Sequence, residues 1–169
     1  MDSNHNQMKL TVLHIIAAII LALICPALLM GSIMEWADNF SDIDLGTISG
    51  PTAQTLEGFS TTTLNTDGEV DITVEAGNRS NSQLTNTTGA APYNTLTTKY
   101  KIEFDGYAGD YTTFTDYSTF LSTPATVAHP QDNSIEIKLS AQVSTVLYEV
   151  PDKGSYSATQ TLTASWAGL

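Results

Sequence analysis

One stretch constrains this chain more than any other. Leu10 to Met34, LTVLHIIAAIILALICPALLMGSIM, contains no Asp, Glu, Lys or Arg. A hydrocarbon core of ~30 Å takes about 20 apolar residues in a helix, and the run supplies that length. The spacing therefore predicts a transmembrane or hydrophobic helix over 10–34, preceded by a polar tail (1–9). His14 and Pro26 interrupt the run, and a proline in a spanning helix is tolerated where neighbours satisfy the freed backbone. Lys9 precedes the run, whereas Glu35, Asp38, Asp42 and Asp44 follow it. The basic end stays inside, which puts the C-terminal region outside.

A cleaved secretory signal is the other reading of the run. Such a signal has a basic n-region, a short apolar core and a small-x-small cleavage site. Met1 to Gln7 has no base, and Leu29-Met30-Gly31 and Cys25-Pro26-Ala27 are poor cleavage sites. An uncleaved signal-anchor is favoured. Cys25 is the only cysteine, so no intrachain disulfide forms and the fold rests on its core. A buried, inert Cys25 is favoured over a lipid acceptor, because Ala22-Leu23-Ile24 and Pro26 do not suit a lipoprotein signal. Trp36 falls where an interfacial aromatic is expected.

Beyond the run the periodicity changes to two. Residues 35–52 read as an acidic tether or first short strand, and 53–169 as a β-sandwich domain. Val70, Ile72, Val74 and Ala76 alternate with Glu69, Asp71, Thr73 and Glu75 between the turns Asp67-Gly68 and Gly77-Asn78. Leu96, Thr98, Tyr100, Ile102 and Phe104 form a second buried stripe, and Ile135, Ile137, Leu139, Ala141 and Val143 a third. A last strand is expected from Ser155 to Trp166, burying Tyr156, Ala158, Leu162, Ala164 and Trp166, with Phe114 and Phe120 as further core. Short strands between turn signals predict a mainly β fold, an antiparallel immunoglobulin-like sandwich.

The segment Val150-Pro151-Asp152-Lys153-Gly154-Ser155-Tyr156 is more specific. It resembles the VPxGxY turn before the last strand of many bacterial and archaeal surface β-sandwich domains, fimbrial and pilin-like ones included, over Tyr148–Trp166. Gly154 is then the turn glycine, and Tyr156 opens the strand. Asp152, Gly154 and Tyr156 are also similar to a tyrosine corner, in which the hydroxyl ties back to the backbone. That corner normally precedes the penultimate strand, so this reading leaves a strand to be supplied by a neighbour. The leader and the glutamate of type IV pilins are not matched at Asn6 to Leu10.

The net charge of -12 reflects few bases: Arg79 is the only arginine. Without clustered Lys or Arg, no nucleic acid partner is expected, and no polybasic lipid patch exists. His5, His14 and His129 lie in a tail, the apolar run and a loop, so neither zinc nor a triad is expected. Asp67, Glu69 and Asp71, or Asp105 and Asp110, could offer oxygens to calcium, but without the spacing of a known loop. No cofactor, metal site or enzymatic activity is expected. Asn39, Asn78 and Asn86 head N-glycosylation sequons, used only in a glycosylating host.

The leading expectation is a structural subunit of an extracellular assembly, a pilus-like filament or a membrane-anchored virion or surface protein. Its apolar segment would contact membrane lipid, identical subunits, or both, as a homo-oligomer. The alternative is a membrane-tethered binding or adhesion module for glycan or protein, with Tyr107, Tyr111 and Tyr117 as stacking groups.

Overall fold

The computed structural model describes residues 33–67, 70–105, 113–128, 134–147 and 151–167. Residues 33–169 form one compact unit, separate from 1–32. All of its strand pairs are antiparallel. Strands β1 (Met34–Trp36), β2 (Gln54–Thr66), β3 (Ile72–Gly77), β4 (Thr97–Phe104), β5 (Thr115–Asp116), β6 (Ala125–Val127), β7 (Ser134–Thr145) and β8 (Thr161–Trp166) make two sheets. One has the order β1-β2-β7-β4-β5, the other β6-β3-β8.

The long sheet is built on the β2–β7 ladder, which runs from Gln54↔Thr145 to Asn65↔Ser134. β4 lies on the other side of β7, placing Phe104 opposite Ile137 and Thr98 opposite Val143. The apolar stripes of β4 and β7 meet Ile72, Val74 and Ala76 of β3 in one core, with Phe120, Ala125 and Val127 closing it. Leu64, Ile72, Val74, Ile102 and Ile137 are fully excluded from water. Period-two burial is what these alternating sequences dictate, because successive side chains point to opposite faces of a strand.

Three expectations are corrected. The helix expected over 10–34 does not reach its end: Met34 lies in β1, opposite Thr66 of β2, and residues 10–32 lie outside the described ones. The cause is local. Met34 and Trp36 are half-buried while Glu35 is exposed, a strand alternation, and β2 satisfies the backbone through Ala37 N–H to Thr63 O (2.8 Å). Among the described residues no helix is long and apolar enough to cross a membrane. Trp36 accordingly packs on the core and on Phe40, ring centroids 5.9 Å apart.

The second correction concerns the tether. Residues 37–53 are irregular, yet Phe40, Ile43 and Leu45 pack against the core. Here the chain crosses the inner face of β2. Ser41 N–H donates to Ser60 Oγ (2.9 Å) and the Thr62 hydroxyl donates to Asp38 O (2.7 Å). A Cβ on Gly58 would fall 2.7 Å from Ile43 Cγ2, so glycine permits this close approach.

The third correction is the connectivity. In an immunoglobulin sandwich the first strand shares a sheet with the second, and the last pairs beside the sixth. Counting from β2, this chain does the opposite: β2 pairs with β7, and β8 with β3. The long β2–β7 ladder occupies the edge of β7 that a last strand would take, and β8 pairs along β3 instead. The last strand is also shorter than expected, since Ser155–Gln160 is irregular apart from a bridge at Ser157.

Candidate functional site

The long ladder outruns the apolar core at its Gln54–Thr145 end. Leu56 and Val143 face each other there, and Val143 and Leu96 are buried. Irregular chain covers this end: Ile43 to Pro51 on one side, Leu84 beside it, and the turn Pro151 to Tyr156 as a lip. Between them lies an open cleft of about 840 Å³. Gly46 (φ 82°) and Gly50 (φ 78°) turn the first wall, and Gly46 N–H donates to Asp44 Oδ1 at 2.8 Å.

The lip is held by polar bonds to the 85–95 loop. Asp152 N–H donates to Tyr93 O (3.0 Å), and its Oδ2 accepts Ala90 N–H (2.8 Å). The Tyr156 hydroxyl lies 2.9 Å from Asp152 O and 3.0 Å from Tyr93 O, so its single proton is shared between two carbonyls. Thr85 bridges both Thr95 and Ser157. Gly154 adopts φ 149°, and a Cβ there would lie 2.7 Å from Asn86 Nδ2. Gly154 and Tyr156 therefore meet in one clasp, with Tyr156 tied to the backbone four residues upstream.

Burial, followed by the negative charge of Asp152, pushes the Tyr156 hydroxyl above its ordinary value, partly opposed by hydrogen bonding with Asn86 and with the Asp152 backbone. It stays protonated at neutral pH and acts as a donor. The cleft thus offers an apolar floor of Leu56, Leu96 and Val143 and a polar lip engaged with its own loops.

The sequons fall in three different settings. Asn39 is exposed. Asn78 is half-exposed at φ 56°, its Oδ1 accepting from Asn81 Nδ2 (2.8 Å). Asn86 is only 2% exposed. Its Oδ1 accepts the Thr88 N–H (2.9 Å) and hydroxyl (2.8 Å), and its Nδ2 donates to Lys153 O (3.4 Å). A glycan on Asn86 has no room in this fold.

Of the acidic groups considered for calcium, Asp67 accepts Ile33 N–H. Asp71 is exposed, Asp105 N–H donates to Glu136 O (3.0 Å), and Glu69 and Asp110 lie outside the described residues. Among the described residues no group of three or more His, Cys, Asp or Glu could hold a metal ion. Cys25, the three histidines, Tyr107 and Tyr111 also lie outside them, while Tyr117 packs against the core.

Sequence reasoning placed Asp152 in the corner motif without its bonds to Tyr93 and Ala90, and it missed Leu56, Leu84 and Leu96 as cleft residues. A usable signal was Asn86-Thr87-Thr88-Gly89, since Asn bonding its own backbone two residues on marks a structured turn. No protein-family model matches the chain, and no curated protein matches it.

Proposed function

We propose that the chain is a structural subunit of an extracellular assembly. Its apolar run is held in a membrane or among identical runs, and its β unit is displayed outward. The observation that carries this reading is the join in the chain. The charge-free sequence from Leu10 ends at Met34, which is already the first residue of β1. The scarcity of bases supports the same reading, because such a surface suits an exported protein better than a nucleic-acid or anionic-lipid binder. Imaging of native membranes or particles tests it. Ordered multimers of the full chain are expected, and a monodisperse monomer in detergent overturns the reading. The intact mass reports the mature N-terminus, and a mass beginning after Gly31 refutes retention of the run.

The cleft favours a second reading, a tethered binding module. Its volume of about 840 Å³ lies within the range of small-ligand sites, and its apolar floor with a tyrosine at the lip suits an extended peptide or a sugar ring. Amide shifts confined to Leu56, Leu96, Val143 and the 151–156 lip on titration with oligosaccharides or peptides would support it. Shifts scattered elsewhere would remove it.

A further inference from the structure

The two sheets end differently. The outer edges of β1, β5 and β6 are two or three residues long. β8 is a six-residue edge, Thr-Leu-Thr-Ala-Ser-Trp, without a charge, proline or glycine. Among the described residues it pairs only with β3. Ala167 N–H donates to Asp71 O, which sets the phase of the ladder. Thr161, Thr163 and Ser165 turn their backbone groups toward β3, and Leu162, Ala164 and Trp166 turn theirs outward. Among the described residues these outward N–H and C=O groups meet no partner strand. The core-side apolar groups of the same residues are only half-buried, whereas their neighbours on β3, Ile72, Val74 and Ala76, are buried. Natural sheets blunt long edges with charge, proline, bulges or shortness, and β8 has none of these.

We propose that β8 is the edge through which two copies of this chain pair, antiparallel about a two-fold axis centred on Ala164. In that register Ala164 faces Ala164 of the second copy and Leu162 faces Trp166 of the second copy. All three facing pairs are of the hydrogen-bonded kind, each exchanging two N–H···O bonds. The Leu–Trp pairs stack an aromatic on an aliphatic side chain on the core side, covering what is now half-exposed. On the other face Thr163 lies beside Ser165 of the second copy. The strand fits itself, as an isologous contact requires.

The fit of the strand to itself selects a second copy as the occupant: although each molecule carries a net charge of -12, β8 has no charged side chain to oppose its own copy across the seam. The pairing goes beyond the assembly reading by naming a contact, and the two can fail separately.

The test uses the full chain in detergent. Ala164→Cys in a Cys25→Ser background should give a disulfide-linked dimer on mild oxidation, because facing hydrogen-bonded residues lie ~5.5 Å apart between Cα atoms. Thr126→Cys on β6 in the same background should give none. Ala164→Pro removes only an outward N–H, which an edge strand tolerates, and should turn a dimer in light scattering into a monomer. Should that variant fail to fold, the cysteine pair still decides. A monomeric parent chain, equal cross-linking from both positions, or cross-linking of position 164 to a different protein in the native membrane each overturns the pairing. Ordered particles that persist in Ala164→Pro keep the assembly and remove the edge. A dimer without larger particles keeps the edge and removes the assembly.

Discussion

The β2–β7 ladder is closed in two different ways along its length. At one end Leu64 faces Ile135, and apolar side chains from the second sheet cover them. At the other end Leu56 faces Val143, and the cover is irregular backbone pinned by Asp152, Asn86 and Tyr156 around a cleft. The first end is stabilised by area removed from water, the second by a few oriented hydrogen bonds and two glycine-dependent approaches. A dry apolar end tolerates no lost volume, whereas a clasped end is sensitive to single polar groups and leaves space for a ligand.

The largest effect expected from breaking this contrast is at the dry end. Ile137 is fully buried between Thr62 and Phe104 on its neighbouring strands. Ile137→Ala should lower unfolding stability by about 2–5 kcal/mol, as deletions of buried methyl groups do, read as a shift in urea midpoint. Leu56→Ala, half-buried at the cleft, should cost clearly less. Equal losses would erase the distinction between the ends.

Tyr100 links the two ends, since its ring packs in the core, 5.5 Å from Phe120, and its hydroxyl donates to Ser82 O at 2.7 Å. Burial pushes its pKa from 10.0 to about 12. The unfolded chain therefore ionises first. Stability is intact below pH 10 and is lost as pH rises from there toward 12, by of order 2 kcal/mol through this group. Tyr156, raised in the same direction, adds to the same limb. Denaturant melts from pH 9 to 12 should show the fall, and Tyr100→Phe should flatten it.

The sequence was legible where apolar side chains do the covering. β3, β4 and β7 follow from alternation because each presents an apolar stripe to the core. β2, the longest strand, was not read at all. Its inner face is Leu56, Gly58, Ser60, Thr62, Leu64 and Thr66, and the small and polar members are there because residues 38–45 cross them and bond to Ser60 and Thr62. A face covered by backbone need not be apolar, so no hydropathy pattern marks it. Asp152, Gly154 and Tyr156 were singled out from a local motif, yet Asn86 and the 85–95 loop that they grip belong to a long-range contact that spacing does not encode. β1 was split, Met34 going to the apolar run and Glu35 and Trp36 to the tether, because three residues of strand alternation are invisible beside a longer hydrophobic stretch.

At the clasped end, Gly154→Ala should cost about 1–3 kcal/mol, the range for a residue held in a sparsely populated backbone region, because the new Cβ meets Asn86 and the φ of 149° is unfavourable. The loss should be local. Hydrogen exchange at Ala90 and Asp152 should accelerate while Ile102 and Ile137 remain protected. Uniform loss of protection would mean that the clasp and the core unfold as one unit.

The smallest effect lies on the outer face of the dry end, where Glu103 faces Lys138 across the ladder. Its carboxylate is 3.2 Å from Lys101 Nζ and 3.5 Å from Lys138 Nζ. The hydrogen bond from Lys101, then the charges of both lysines, hold its pKa below the ordinary carboxylate value against the opposing effect of burial. The stabilisation is present above the unfolded carboxylate range and is lost as pH falls through the depressed folded value. Because the side chain keeps 33% of its exposure, solvent screens the pair and the contribution should stay under about 1 kcal/mol. Glu103→Gln should therefore leave the acid limb nearly unchanged, and added salt should remove the remaining difference between variant and parent. A salt-insensitive loss of several kcal/mol would instead mean that the outer face is as dry as the inner one, and that the contrast along the ladder extends through the sheet.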